Sequence, residues 1–173
     1  RSAGGSAGAL RRAPVRAGVH HDRMTLVRHA RPADLPTVAR LAAEHAAYEK
    51  AAPPPADLAR RLEGLLFGEA PARLRCFVAG TDDGEIVGYA SCAPEVSTWE
   101  GTEYLHMDCL FLRDGHRGLG LGPRLMDAVI AEARTLGLAE VQWQTPVWNA
   151  GAMRFYDRLG ARGKDKVRYS LPV

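Results

Sequence analysis

Cysteine is scarce in this chain: Cys76, Cys92 and Cys109 are its only three. None stands at zinc-ligand spacing from another cysteine or a histidine, which speaks against a disulfide framework and a zinc knuckle alike. Each lies in or beside an apolar run and reads as a reduced, structural thiol. Long apolar runs are missing too. No stretch approaches the roughly 18 residues of a membrane span, and the N-terminus has no apolar segment of the signal-peptide kind. A soluble, cytoplasmic protein with no membrane partner is the expectation. A His-Glu-x-x-His pattern is also lacking, and His20-His21 is an isolated pair, so no metal is expected.

Excess charge is absent where it would matter. The net charge of +3 comes from residues 1–23, which hold five arginines and one aspartate; residues 24–173 carry 18 basic and 19 acidic groups. A nucleic-acid partner would want a basic face on the folded part, so none is expected. The Gly/Ala/Arg-rich tail "RSAGGSAGALRRAPVRAGVHHDR" lacks apolar periodicity and predicts disorder, with Met24 as the functional start; its arginines and scarcity of acids also fit a transit peptide. One domain over 24–173 is expected, large enough to bury a core around a pocket.

What is present is a regular alternation of strands and helices. "MTLVRHA" (24–30) predicts a strand. A helix follows, with Asp34 as N-cap and Leu35, Val38 and Leu41 on one face, ending near Lys50 before Pro53-Pro54-Pro55. A second helix is expected over about Asp57 to Phe67. "RLRCFVAG" and "EIVGYASCAP" flank Asp83-Gly84, a hairpin signal. "TEYLHMDCLFL" is a third, longer strand in this antiparallel run, and a helix from about Gly120 to Leu136 turns Leu125, Val129 and Ala133 inward. "LAEVQWQTPV" predicts a strand, "NAGAMRFYDRLGA" a short helix stopped at Gly160, and "KVRYSLP" a strand closing the sheet. The order β-αα-β-β-β-α-β-α-β implies an α/β (α+β) domain, with a mixed central sheet flanked by helices on both faces.

"DGHRGLGLGPRL" (114–125) places four glycines between a strand and a helix. Glycines there let the backbone approach a ligand, and the helix's positive end favours an anion. A Walker A loop needs Gly-Lys-Ser/Thr, but Gly122 is followed by Pro123-Arg124. A dinucleotide fingerprint counted from Gly118 and Gly120 meets Pro123 where it needs glycine. The pattern that fits is Arg-x-x-Gly-x-Gly, Arg117 to Gly122; a plain glycine-rich helix cap is the structural alternative.

Arg117-Gly118-Leu119-Gly120-Leu121-Gly122 after "CLFL" resembles the pyrophosphate loop of the GNAT N-acetyltransferase family, and "WNAGAMRFYDRLGA" (148–161) resembles that family's second signature. The likeness covers nearly all of 24–173. "AAYEK", "STWEGTEYL" and "HRGLGLG" are similar to the diamine (spermidine/spermine) and thialysine acetyltransferase branch.

The resemblance implies acetyl-CoA as cosubstrate and a small-molecule primary amine as acceptor, with direct transfer in a ternary complex. Acetylation of an antibiotic amine or of a protein or peptide amine, and a non-catalytic CoA-binding sensor, stand as alternatives. Tyr156 is implied as the acid facing the sulfur, or else a core tyrosine beside Phe155. Asp108 stands where the branch has a glutamate base, or else binds substrate. The backbone of Leu119, Gly120, Leu121 and Gly122, with Arg117 and Gly118, is implied around the pyrophosphate, and Leu110, Phe111 and Leu112 along the pantetheine arm. Asn149 is implied on that arm or as a helix cap. Tyr48, Glu49, Trp99, Glu100 and Glu103 are implied at the acceptor end, where carboxylates and aromatics suit a cation. The acidic pair of the branch is reduced here to Asp108-Cys109, which disfavours long polyamines. A homodimer is implied as well.

Overall fold

The computed structural model describes residues 26–173. The expectations for 1–23, for His20-His21 and for a start at Met24 lie outside the described residues. The first strand, β1 (Leu26–His29), leads through a 3-10 turn at Pro32–Asp34 into α1 (Leu35–Tyr48) and α2 (Leu58–Phe67). Then come β2 (Arg75–Gly80), β3 (Ile86–Ser97) and β4 (Thr102–Leu112), followed by α3 (Leu121–Thr135), β5 (Val141–Gln142) and α4 (Ala150–Arg158).

The sheet runs β1-β2-β3-β4-β5, antiparallel until the parallel β4–β5 pair. Alternation in β2 shows why helices must cover both faces. Cys76 and Val78 pack with Val38, Leu41 and Leu66 of α1 and α2, while Phe77 and Ala79 pack with Leu125 and Val129 of α3. The expected inner residues Leu35, Val38 and Leu41, and Leu125, Val129 and Ala133, are all buried. Arg75 on β2 reaches Glu132 of α3 at 2.8 Å and ties that helix to the sheet.

Three expectations are corrected. Asp34 stands at the N-cap position of α1 as expected, but its side chain makes no cap hydrogen bond. The carboxylate turns back instead, accepting from Arg28 at 2.6 and 3.1 Å and from the Arg31 N–H at 2.7 Å. The strand expected along "LAEVQWQTPV" is reduced to β5, which pairs with β4 at only two positions. Residues 161–173 form no strand, so "KVRYSLP" does not close the sheet of its own chain. With β5 only two residues long there is little edge to extend, and Val167, Tyr169 and Leu171 stay exposed.

Candidate active site

The site begins with an irregularity in β4. Met107 pairs with Cys92 and Cys109 with Ser91, leaving Asp108 as an extra residue, a β-bulge. Leu105 and Met107 face α3 before the bulge, and Leu110 and Leu112 face it after, so the bulge keeps four apolar residues on one side. The Asp108 carboxylate is largely exposed, 3.9 Å from His106 Nε2 and within 3.6 Å of the Cys109 thiol, which donates to it.

Beyond His106 the sheet opens. β5 pairs with β4 only at Leu105 and His106, so Met107 to Leu112 face a cleft of about 560 Å³ instead of a neighbouring strand. Trp143, Gln144 and Thr145, which follow β5, line the opposite wall. None of those three was marked by the sequence reading.

The glycine stretch closes one end of the cleft. Gly118 and Gly120 have φ of 77° and 80°, a left-handed backbone that penalises any side chain, and a Cβ at either would meet only open space. Gly120 precedes α3, whose first-turn amides have no partner within the helix. Gly118, Gly120 and Gly122 line the cleft, whereas the expected Leu119 and Leu121 do not: the Leu119 side chain is exposed and Leu121 is buried in the core. Arg117 is held in place: its Nε donates to the Leu112 carbonyl at 3.1 Å and its guanidinium lies 4.4 Å over the Tyr48 ring. Bare backbone, a helix N-terminus, a cation and an open strand edge at Leu110 to Leu112 fit a long, extended, phosphorylated cosubstrate. A plain helix cap would need neither of the last two.

Tyr156 enters from α4, packed on Trp143 at 5.1 Å and Phe155 at 5.3 Å. Burial, with the Glu49 charge nearby, pushes its phenol up to about 12. Asn149 is buried and caps α4, its Oδ1 accepting from the Ala152 N–H at 3.2 Å and from the Tyr48 hydroxyl at 3.5 Å. Of its two expected roles, the cap is present in the structure.

Tyr48 and Glu49 reach the cleft from the end of α1. Trp99, Glu100 and Glu103 do not line it. They sit where the β3–β4 ribbon runs past the β5 contact at Leu105, at the end of β4 opposite to Met107–Leu112, and Trp99 is 97% exposed. His45, by contrast, lines the cleft and was missed. Its place on α1 four residues before Glu49 was the available signal. All three cysteines are free, and burial raises the Cys76 and Cys92 thiols to about 12 and Cys109 to about 11. They stay protonated near neutral pH, as structural thiols should.

Comparison with known proteins decides the family. The model of the Acetyltransferase (GNAT) family matches residues 38–161. The chain belongs to the GNAT acetyltransferase family. This GNAT chain is 30% identical over 144 residues to the thialysine N-epsilon-acetyltransferase of Bos taurus, covering 79% of this chain and 84% of that one. It is 28% identical over 94 residues to an L-ornithine N5-acetyltransferase of Arabidopsis thaliana, covering 54% of this chain and 41% of that one. A crystal structure of a probable acetyltransferase superposes with a TM-score of 0.72 at 18% identity, over 86% of this chain and 97% of that one, and shows the same fold. The GNAT chain is an acetyltransferase, and acetyl-CoA is its family's cosubstrate.

Proposed function

We propose that this acetyltransferase moves the acetyl group of acetyl-CoA to the primary amine of a small molecule of the diamine, polyamine, thialysine or lysine-like class, by direct transfer in a ternary complex. The observation that carries the reading is the cleft between β4 and β5, which brings Asp108 and Tyr156 to one space beside the glycine stretch. Relatives named for thialysine and ornithine acetylation support an amine acceptor.

Acetyl-CoA supplies the activated acetyl thioester; the remaining work falls to side chains and backbone. Leu119 to Gly122 and Arg117 would hold the pyrophosphate, and the open edge from Leu110 to Leu112 the pantetheine arm, with Asn149 shaping the turn beside it. The backbone N–H near Leu110 would polarise the thioester carbonyl. An alkylammonium of pKa about 10.4 is almost wholly protonated at neutral pH. Asp108, exposed on its bulge, accepts that first proton through water. Tyr156, whose phenol keeps its hydrogen to about 12, donates to the leaving sulfur and is refilled from the amine that has formed the amide bond. The sum is one ammonium and one thioester giving one amide, one thiol and one proton. Glu49 and Tyr48 at the α1 end would receive the acceptor's cationic part. Trp99, Glu100 and Glu103 would contribute only through a second copy.

The reading includes a cytoplasmic homodimer. Val167, Tyr169 and Leu171 alternate with Lys166, Arg168 and Ser170 and are exposed, as a strand awaiting a sheet would be. That pattern supports exchange of the C-terminal segment between two copies. Sizing chromatography of the chain and of a version ending at Ala161 tests it; a monomer in both cases rejects it.

Thiol release from acetyl-CoA tests the activity, with thialysine, ornithine, spermidine, lysine, an aminoglycoside and short peptides as acceptors. Turnover of a small amine, reduced at least about tenfold in Tyr156→Phe and Asp108→Asn, is expected. Turnover of the aminoglycoside or a peptide alone moves the acceptor class, and tight CoA binding without release from any amine makes the chain a sensor.

A further inference from the structure

The His45 ring is held on three sides at the inner end of the cleft. It lies nearly parallel to Phe111 with centroids 5.0 Å apart. Nδ1 is 3.1 Å from the Tyr89 hydroxyl of β3, and Nε2 is 3.2 Å from Glu49 Oε1. Tyr89 is a buried residue of the sheet, fixed by the core around it, whereas Glu49 follows the last turn of α1 and reaches into the cleft. A long carboxylate at a helix end has several rotamers of similar energy. Here one is selected by a ring that is itself anchored to the sheet.

We propose that His45 is a positioning residue acting through Glu49: with its proton on Nε2 and the Tyr89 hydroxyl donating to Nδ1, it holds the Glu49 carboxylate in the cleft as the anchor for the acceptor's cationic group. This rests on the amine reading of the cleft. Asp108 lies across the same space on β4, so the two carboxylates divide the work: Glu49 fixes the cation, and Asp108 is left to take the proton. Two charged groups close to the stack are already engaged. Glu44 is paired with Arg113 at 2.9 Å, and the Arg117 guanidinium lies over the Tyr48 and Phe111 rings. Neither competes for the imidazole Nε2.

The test is steady-state kinetics with thialysine as acceptor for the wild type, His45→Leu, His45→Gln, Glu49→Gln and the double variant His45→Leu/Glu49→Gln. His45→Leu is expected to raise the thialysine KM about tenfold while leaving the acetyl-CoA KM within about twofold. The double variant should be no worse than Glu49→Gln alone, because the two residues act as one unit. His45→Gln, whose amide still donates to a carboxylate, should recover most of the loss. Losses that multiply in the double variant, or an acetyl-CoA KM that rises with the thialysine KM, overturn the assignment. Ring-nitrogen NMR of the protein alone provides a readout that needs no acceptor: the proton is expected on Nε2 at about pH 8, and a proton on Nδ1 overturns the assignment. Failure of the wild type to turn over thialysine would count against that acceptor class, and the NMR result would then judge His45 by itself.

Discussion

The Phe155 ring lies over Gly122: a Cβ on that glycine would stand 3.5 Å from Cζ, and 3.7 Å from Leu112 Cδ1. This contact joins the glycine stretch to α4, the helix that carries Tyr156. A methyl group fits at ordinary van der Waals distance, but a branched side chain does not. Gly122→Ala is therefore expected to melt close to the wild type. Gly122→Val should cost about 1–3 kcal/mol by overpacking and lower acetyl transfer by displacing α4. Thermal melting and thiol release on both variants check this, and equal behaviour of the two would refute the packing argument.

Gly118 and Gly120 differ from Gly122, because their constraint lies in the backbone. With φ near +80° and open space around a Cβ, alanine at either position strains the loop by about 1–2 kcal/mol without a clash. The expected outcome is a raised acetyl-CoA KM with the amine KM little changed. A reversed pattern would place the cosubstrate elsewhere.

Deleting Asp108 tests the bulge. Without the extra residue Cys109 follows Met107 directly, so Leu105, Met107, Leu110 and Leu112 alternate regularly and all stay on the α3 face, and only the local kink is lost. The deletion is therefore expected to keep a folded state, and Asp108→Asn should melt within about 0.5 kcal/mol of the wild type, as an exposed substitution does; loss of the fold on deletion would contradict the reading of Asp108 as the extra residue. Circular dichroism melts separate these outcomes.

Tyr156 has a pH signature. Its pKa is raised, so the protonated form persists to about 12 rather than to the usual value near 10. At saturating substrates, kcat is expected to show no alkaline downturn near pH 10 from loss of this proton. Tyr156→Phe should lower kcat at every pH in that range. A wild-type downturn centred near 10 would contradict the burial of the phenol.

The Arg28–Asp34 pair gives a stability signature of opposite sign. Hydrogen bonding to the guanidinium holds the Asp34 carboxyl below its ordinary range. Its stabilisation is therefore present above the ordinary carboxylate pKa of about 3.9 and is lost as pH falls through the lower folded value. Asp34→Asn is expected to cost about 1–3 kcal/mol near neutral pH, seen as a lower Tm, with the gap closing in acid. A gap that stays constant with pH would mean that packing, not charge, holds the turn.

Much of this architecture was legible in the chain. Val38 and Leu41 at helical spacing, Cys76 to Ala79 at strand spacing and the Asp83-Gly84 turn each report a local backbone geometry, and local geometry depends on neighbours in sequence. The glycine loop and the α4 signature were legible for the same reason. The bulge was present as a phase change, Leu105 and Met107 on odd positions and Leu110 and Leu112 on even ones, but only a partner strand shows that Asp108 is the extra residue. The alternation in "KVRYSLP" was read as a strand closing the sheet, and the structure forms none over 161–173, because pairing needs an edge, and β5 supplies only two residues of it.

By itself, then, the sequence determined most element types, the two apolar faces of the sheet and the bare backbone before α3, since each depends on residue type and spacing over a few positions. The tertiary structure alone decided that Trp99, Glu100 and Glu103 stand away from the cleft, that Trp143 to Thr145 wall it, and that His45 joins Tyr89 to Glu49. Those relationships connect residues up to 44 positions apart or place them at opposite ends of one strand. No local periodicity encodes them; they follow from where β4 and β5 part and from how α1 lies across the sheet.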